Sequence, residues 1–185
     1  MPKKVNHEQY RLELAQNAIR LFSEYGYTGL GMRKIAAELG ISKSALYYYF
    51  PSKQALFHTC TDLATRFDGN LEDLPPDTEQ DPSTEVKINS LVNIIRNLEP
   101  DFPKEMSLLL DYLRGNSKEE IANDPTMKLA NQRYEMLVKQ FVEEKDSKPV
   151  LCLLMGTLLM RFFDGGHTSL DEIENWLVNI LNSKS

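Results

Sequence analysis

The chain has 185 residues, of which 42% are hydrophobic and 26% charged, and its formal net charge is −6. That balance is typical of one globular domain, or of two small ones that share a core. The longest apolar stretch, Val150 to Phe163, contains Gly156, Thr157 and Arg161 and is shorter than the roughly 20 residues that span a bilayer. Because no positive-then-apolar leader opens the sequence, we expect a cytoplasmic protein with no membrane partner.

The charge is unevenly distributed along the chain. Residues 1–58 hold eight Lys and Arg against four Asp and Glu, whereas residues 59–185 hold 13 bases against 23 acids. The overall negative charge argues against nucleic acid as a partner, because a phosphate backbone attracts a basic surface. The basic N-terminal part reverses that conclusion and predicts that this end alone contacts DNA.

The apolar residues recur at helical spacing nearly everywhere and no strand pattern is present, so we predict an all-α fold of about nine helices. In chain order, the first helix should begin at Asn6 as N-cap and end at Gly26 in the left-handed conformation. A second helix is expected over Met32–Leu39. A third is expected over Lys43–Tyr49, capped by Ser42, and a fourth begins after its cap Ser52.

A break follows the fourth helix. Asp68 to Pro82 contains three prolines and six acids with little to bury, which is typical of a surface loop. Beyond it, Asp81-Pro82 and Asp124-Pro125 should each place a cap before a proline in the first helical position. Ser169 with Glu172 predicts a capping box for the last helix.

Val150 to Phe163 is apolar on all sides, so a helix there must be covered on all sides. It is either a central helix of one subunit or a helix that faces its own core on one side and a second subunit on the other. We favour the second interpretation, because the following amphipathic helix supplies a matching partner.

The segment TGLGMRKIAAELGISKSALYYYFPSK, Thr28 to Lys53, predicts two short helices joined by a glycine-bearing turn. In that arrangement the second helix lies across the first and can enter a DNA major groove. Lys43, Ser44, Tyr47 and Tyr48 should face outward, and the third helix carries no acid that phosphate would repel. Three consecutive tyrosines point in three directions, and Tyr49 should be the most packed.

The run GISKSALYYYFPSKQALF resembles the signature of the TetR family of bacterial repressors, and FSEYGY and MRKIAAELG extend the match over residues 8 to 58. The resemblance implies a helix-turn-helix DNA-binding domain over residues 1–52 and a C-terminal ligand-sensing and dimerisation domain over residues 53–185. We expect no cofactor and no enzymatic activity.

The family resemblance also implies roles for single residues. Lys43, Ser44 and Ala45 would address base edges, Tyr47 a base or phosphate, and Tyr48 and Tyr49 phosphates. Lys53 would bind a phosphate together with the N–H groups of its helix, and Arg33 would reach a guanine. The implied DNA-binding set is therefore Arg33, Ser42, Lys43, Ser44, Ala45, Tyr47, Tyr48, Tyr49 and Lys53. This sequence departs from the family at Gly31, where Thr or Ser is usual, so no phosphate contact is expected there.

Enzymatic or metal chemistry finds no support in the spacing of reactive residues. His7, His58 and His167 lie far apart without ligands at i+3 or i+4, and no glycine-rich phosphate loop is present. We expect no catalytic and no metal-binding residues. Cys60 and Cys152 stand 92 positions apart and are expected to be reduced, packed thiols.

The C-terminal part should pair two copies and sense a ligand. A four-helix bundle between subunits would bury Leu151, Leu158, Trp176 and Ile180. An apolar, Met-rich pocket would be lined by Met106, Leu109, Tyr112, Tyr134, Met155 and Phe162 and would suit a hydrophobic effector. A filled core without a cavity is the alternative.

The sequence thus predicts a homodimeric repressor that binds palindromic double-stranded DNA and is released by a small-molecule effector. One alternative is a DNA-binding regulator without a pocket, controlled by a protein partner or not at all. Another is a helical enzyme or scaffold that does not bind DNA.

Overall fold

A computed structural model describes residues 6–66 and 83–182, and these ranges contain helices and no strand. The all-α prediction is confirmed. The predicted loop from Asp68 to Pro82 lies outside the described residues. Ten helices are present in the described ranges: α1 (His7–Tyr25), α2 (Met32–Glu38), α3 (Lys43–Tyr49), α4 (Lys53–Ala64), α5 (Thr84–Leu98), α6 (Phe102–Leu113), α7 (Lys118–Asn123), α8 (Pro125–Lys139), α9 (Glu144–Asp164) and α10 (Leu170–Asn182).

The N-terminal helix boundaries follow the predicted caps. Asn6 accepts a hydrogen bond from the backbone of Gln9, and Ser42 and Ser52 cap α3 and α4 in the same way. Each such cap satisfies a backbone N–H that lacks a partner within its helix. Gly26 ends α1 with the expected positive φ of 73°, but its ψ of 171° lies outside the left-handed helical region.

The boundaries of the C-terminal helices can be compared with the predicted ones where residues are described. Helix α5 begins at Thr84 under the cap Ser83, and the predicted start at Asp81-Pro82 lies outside the described residues. Asp124 caps α8 as predicted, accepting from the backbone of Met127 at 2.9 Å. Helix α7, which begins with a capping box, was not predicted from the sequence.

A capping box is present at the start of α7, whereas one was predicted from the sequence at the start of α10. In α7 the Ser117 and Glu120 side chains each accept from the other residue's backbone N–H. Ser169, where a capping box was predicted, lies just before α10 and accepts a hydrogen bond from the backbone of Asp171 at 3.2 Å.

The chain forms two compact units. Of the described residues, the first unit comprises 6–66 with 104–131, and the second comprises 83–103 with 132–182. In the first unit α1 packs on α4, and Phe22, Leu46 and Phe50 are at most 1% exposed. In the second unit α5, α9 and α10 pack together around the fully buried side chains Ile95, Leu154, Leu158, Ile173 and Leu177. Burying a large apolar side chain contributes about 1.5–3 kcal/mol. The functional division at residue 52 stays a prediction.

Helix α9 is covered on one side only within the single chain. Val150, Leu154 and Leu158 are buried, whereas Met160 is 55% exposed and Phe163 is 71% exposed. The alternative of a central helix covered within one subunit is therefore wrong. The other interpretation, a helix whose second side meets another subunit, remains a prediction.

The two thiols occupy different environments. Cys60 is buried, its Sγ donates to the Ala15 carbonyl at 3.3 Å, and burial raises its pKa to about 12. Cys152 is exposed on α9, so the expectation that both thiols are packed is wrong for Cys152. In the described part of the chain, no helix has the length and apolar character needed to cross a bilayer.

Candidate nucleic-acid interface

Helix α2 begins without help from a side chain. Gly31 occupies the cap position with an extended backbone and makes no side-chain cap hydrogen bond. A helix of seven residues gains little from its own backbone bonds, because the first turn is costly to form. The position of α2 therefore depends on its packing, through the buried Met32, Ile35 and Ala36, and on the segment that precedes it.

A glycine-based turn fixes the angle between α2 and α3. Gly40 has a φ of +68°, and its N–H donates to the Ala37 carbonyl at 3.1 Å. The next N–H, of Ile41, reaches back to the Ala36 carbonyl at 3.0 Å. This pair of bonds is the Schellman motif, which reverses the chain within two residues and satisfies the last carbonyls of α2.

Helix α3 presents a polar and aromatic face to solvent. Its inner side is anchored by Leu46 and the following Phe50, both 0% exposed. The opposite side, which we call the recognition face, consists of Lys43, Ser44, Tyr47 and Tyr48, all of them exposed. The face carries a cation, hydroxyls and aromatic rings, and no acid lies on α3. That chemistry suits base edges and phosphate oxygens.

Ser42 and Ala45, two further members of the predicted DNA-binding set, contribute to the structure of α3. The Ser42 hydroxyl accepts from the Ala45 N–H at 3.1 Å and lies 3.0 Å from the Ser44 hydroxyl. Ser42 therefore caps α3 while remaining exposed. Ala45 is half-buried, so only part of its methyl group is available to a base.

Tyr49 is the least exposed of the three tyrosines, as predicted, and it packs against the start of α1. Its hydroxyl lies 3.1 Å from Nδ1 of His7, and its ring meets Tyr10 edge-on at 5.4 Å. Burial, followed by the neighbouring Tyr48 and Tyr10, raises the pKa of Tyr49. The sequence analysis missed the contribution of His7, since nothing in the pattern of α1 links it to a residue 42 positions later.

Three exposed cations lie on α2 and α3 of the helix-turn-helix part, residues 6–52, which we call the head. Arg33 is exposed in the first turn of α2, where it was predicted to reach a guanine. The Lys43 ammonium lies 5.5 Å from the Tyr47 ring, and the Lys34 ammonium lies 3.6 Å from the Tyr25 ring. Such cation–π contacts orient long flexible side chains along the surface.

Lys53 makes contacts within the chain that the sequence analysis missed. Its Nζ donates to the carbonyls of Tyr27 and Leu30, both at 2.8 Å, and lies 4.1 Å from the Tyr27 ring. Burial lowers the pKa of Lys53, and the nearby Asp111 opposes that shift. An ammonium group has three N–H donors, so one remains for a phosphate oxygen.

A second missed contact ties α6 to the segment before α2. The carboxylate of Asp111 accepts from the Thr28 N–H at 2.7 Å and from the Thr28 hydroxyl at 2.7 and 3.0 Å. These hydrogen bonds, the backbone bond first, lower the pKa of Asp111. The two residues are 83 positions apart, and no motif in the sequence pairs them.

Tyr112 and Phe162, two of the six predicted pocket residues, have different surroundings. Tyr112 is 7% exposed and packs into the core of the first unit, with its ring centre 4.5 Å from that of Phe57. Its hydroxyl donates to the buried Asp124 carboxylate at 2.7 Å. Phe162 is 46% exposed on α9. The remaining pocket candidates, Met106, Leu109, Tyr134 and Met155, are half-buried.

A groove of about 580 Å³ lies in the first unit, beside the end of α1. Its lining includes Tyr25, Gly26, Lys104, Asp111 and Arg114, and none of the six predicted pocket residues belongs to it. This groove is polar, so it does not correspond to the predicted apolar pocket.

The predicted dimer contacts fall into two groups. Trp176 is 47% exposed on α10, and Leu151 and Ile180 are half-buried. Leu158 is 1% exposed because it packs within its own subunit, so it is removed from the predicted interface. The exposed apolar side chains nearby, which we call the α9–α10 apolar surface, are Leu159, Met160, Phe162, Phe163 and Trp176.

The histidines and acids that could suggest chemistry make structural contacts. Nδ1 of His58 lies 3.2 Å from the Thr126 hydroxyl. Asp164 accepts hydrogen bonds from the backbone of Gly166, His167 and Thr168 and closes the turn after α9. No group of His, Cys, Asp and Glu with the arrangement of a metal site was found in ranges 6–66 and 83–182.

Comparison with known sequences identifies the N-terminal part. Residues 14–60 match the family described as "Bacterial regulatory proteins, tetR family". The HTH-type transcriptional regulator PksA of Bacillus subtilis (strain 168) is 39% identical over 56 residues, which are 30% of this chain and 27% of PksA. The biofilm operon icaADBC negative transcriptional regulator IcaR of Staphylococcus aureus (strain Newman) is 44% identical over 45 residues, 24% of each chain. The alignments thus span about a quarter of these relatives.

Comparison with solved structures covers nearly the whole chain. The multidrug binding protein EbrR, complexed with imidazole, aligns with a TM-score of 0.68 at 19% identity, over 95% of this chain and 96% of EbrR. FadR of Bacillus subtilis, a transcriptional regulator in complex with stearoyl-CoA, aligns with a TM-score of 0.60 at 14% identity, over 94% and 99%. At these identities the likeness establishes the fold.

Proposed function

Because this chain belongs to the TetR family of bacterial transcriptional regulators, we propose that it is a homodimeric, cytoplasmic repressor that binds a palindromic operator. The observation that carries the proposal is the recognition face, a row of exposed hydroxyls, aromatic rings and one lysine on a helix held by a Schellman turn. Lys43, Ser44 and Ala45 address base edges, and Arg33 reads a guanine. Ser42, Tyr47, Tyr48, Tyr49 and Lys53 complete the contact set at bases and phosphates.

We further propose that two copies pair through the α9–α10 apolar surface. Isolated exposed apolar residues are common, but a contiguous patch on a regulator is a typical protein contact. A symmetric pair would present two recognition faces about one DNA turn, roughly 34 Å, apart, which requires an inverted repeat in the operator. Leu151, Trp176 and Ile180 remain members of the proposed interface.

The selection of binding sites from a pool of random duplexes tests DNA binding without knowledge of the operator. The purified protein should enrich an inverted repeat, and its affinity should fall as salt rises, because bound lysines and arginines displace counterions. Lys43→Ala should relax sequence preference, whereas Lys148→Ala, the loss of an exposed cation on α9, should leave it unchanged. Enrichment of no sequence, or of a single half-site without symmetry, would contradict the proposal.

A small apolar effector is the second part of the proposal, and Met106, Leu109, Tyr134 and Met155 are its proposed contacts. Support comes from the similarly folded EbrR, which binds multiple drugs, and from FadR, which was solved with stearoyl-CoA. Proflavin, which was solved bound to EbrR, and stearoyl-CoA offer an aromatic ring system and an acyl chain and are therefore suitable first probes in a thermal-shift assay. A saturable rise in Tm that is accompanied by release of the selected duplex is expected.

The alternative is a DNA-binding regulator without a pocket, controlled by a protein partner or not at all. The placement of Tyr112 supports it, because this predicted pocket residue packs against Phe57 in the core of the first unit and its hydroxyl is bound to Asp124. A broad panel of apolar compounds that leaves both the Tm and the DNA affinity unchanged would select this alternative.

A further inference from the structure

The segment between α1 and α2 is bound through both its backbone N–H and its backbone carbonyl groups. On one edge, the Asp111 carboxylate of α6 accepts from the Thr28 N–H and the Thr28 hydroxyl. On the other edge, the Lys53 ammonium of α4 donates to the Tyr27 and Leu30 carbonyls. Hydrogen bonds to a charged group are stronger than neutral ones, so this short segment receives two charge-assisted anchors.

The close approach of Asp111 depends on the glycine that ends α1. A Cβ added at Gly26 would lie 3.0 Å from Oδ2 of Asp111, and Gly26 has a positive φ of 73° that other residues rarely adopt. Beyond Gly26, the N–H groups of the turn point at the carboxylate. Asp111 itself is anchored in α6 and is 15% exposed at its side chain.

The held segment leads directly into α2. Helix α2 starts at Met32, four residues after Thr28, without a side-chain cap, and Arg33 lies in its first turn. The direction of Arg33 is therefore set by the backbone that enters α2. Bidentate recognition of guanine requires the guanidinium plane to meet two base atoms at once, which makes it sensitive to small changes in direction.

We propose that Asp111 is a positioning residue for DNA binding. Its hydrogen bonds to Thr28 fix the position of the first turn of α2, and this position orients the Arg33 side chain toward the operator. The proposal rests on the proposed DNA-binding function and on the contact proposed for Arg33. Asp111 itself does not touch DNA in this scheme.

A double-mutant cycle on the duplex selected by the wild-type protein tests the proposal. Asp111→Asn should lower affinity about tenfold, the scale of one lost charge-assisted hydrogen bond. In an Arg33→Ala background the same change should cost less than about threefold, because the aim of an absent side chain no longer matters. In a Lys43→Ala background the tenfold loss should persist.

A charge-matched control separates positioning from electrostatics. Asp101→Asn removes one exposed acid from the turn before α6, and loss of a negative charge should leave DNA affinity unchanged or slightly higher. Asp111→Asn is expected to change affinity in the opposite direction. Equal behaviour of the two variants would overturn the proposal, as would a tenfold loss that persists in full beside Arg33→Ala.

A second pair of variants preserves the test in the event that Asp111→Asn does not fold. Thr28→Ser keeps the hydroxyl and should bind DNA like the wild type, whereas Thr28→Val keeps the shape and should lose about threefold. Hydrogen exchange at the Tyr27 and Thr28 amides should be faster in Thr28→Val. Unchanged affinity and unchanged exchange in Thr28→Val would overturn the positioning role alone. A wild-type protein that selects no duplex would overturn the proposed function as well.

Discussion

The exposed aromatic side chains of α3 and those of α9 differ in their chemistry. On α3, Tyr47 and Tyr48 carry hydroxyls and stand beside Lys43, whose ammonium lies over the Tyr47 ring. On α9, the rings of Phe162 and Phe163 lie 5.5 Å apart and are tilted by 36°, and Met160 is exposed on the same helix. None of these three side chains carries a hydroxyl or a charge. A surface of hydroxyls and cations suits phosphate, whereas a surface of hydrocarbon suits another protein. Exposure alone does not identify a partner, but the polar atoms of the exposed groups do.

The largest expected loss of DNA affinity comes from a charged substitution in the α9–α10 apolar surface. Met160→Glu places a charge where the proposed dimer buries apolar area, so size-exclusion chromatography with light scattering should show a monomer. Loss of the paired heads should then weaken operator binding by about 100-fold, because the second half-site no longer contributes avidity.

Met136→Glu is the matched control for this change. Met136 is 59% exposed on α8, close to the 55% of Met160, and the substitution is chemically the same. It should leave both the oligomeric state and the DNA affinity unchanged. A Met160→Glu protein that remains a dimer would exclude this surface as the interface.

A smaller loss of DNA affinity is expected when a hydroxyl is removed from the recognition face. Tyr48→Phe removes a hydroxyl from a residue that is 72% exposed, with no change to the core. Loss of one hydrogen bond to phosphate should reduce affinity about fivefold and equally for all sequences. Fluorescence anisotropy with specific and random duplexes measures this, and Tyr25→Phe, away from α3, should have no effect. A selective loss on the specific duplex alone would assign Tyr48 to a base instead.

The buried Tyr112 of the first unit is expected to affect the stability of the protein and not its DNA affinity. Tyr112→Phe removes the donor to the buried Asp124 carboxylate, and burial of the phenol raises the pKa of Tyr112. The expected cost is about 1–2 kcal/mol of unfolding free energy, measurable by urea denaturation. DNA affinity of the folded protein should not change, and a large change in affinity would show that the Tyr112–Asp124 contact also controls the head.

The smallest effects concern two carboxylates, one in each unit. Hydrogen bonds from Thr28 lower the pKa of Asp111, and hydrogen bonds from Thr168 lower the pKa of Asp164. A lowered pKa in the folded state contributes stability above the unfolded value of about 3.9, and this contribution is lost as pH falls through the folded pKa. Asp111→Asn and Asp164→Asn should each reduce the decline in Tm between neutral pH and about pH 3.

Trp176, the single tryptophan, lies in the second unit and helps to assign each effect. Its fluorescence should follow the change in Asp164→Asn, whereas circular dichroism reports both units. Acid transitions that are identical in the wild type and both variants would contradict the assignment.

The sequence predicted the head in detail because each boundary there has a local cause. Ser42, Ser52 and Gly40 mark caps and a turn by their own side chains or lack of one. The assignment of Tyr49 as the most packed tyrosine also follows from local geometry, since adjacent residues on a helix diverge. In the same way, Asp124 before Pro125 is a local signal, and the structure confirms it.

The sequence did not predict contacts between distant residues. Asp111 and Thr28 are joined across 83 positions, and the two carbonyls that Lys53 binds belong to a loop without a motif. Tyr112 and Leu158 fit apolar stripes, but a stripe does not reveal which neighbour covers it. Helix α7 was missed because its six residues are too few to form an apolar stripe.

The contrast between the two thiols makes the natural chain convenient for labelling. Cys60 is shielded, with its pKa raised to about 12, so it should resist alkylation under native conditions. Cys152 is accessible on α9, the helix that carries most of the α9–α10 apolar surface. A maleimide dye or a spin label should therefore attach at one place in the chain without any engineered substitution. If two copies pair as proposed, the distance between their labels could then be measured on the unaltered sequence.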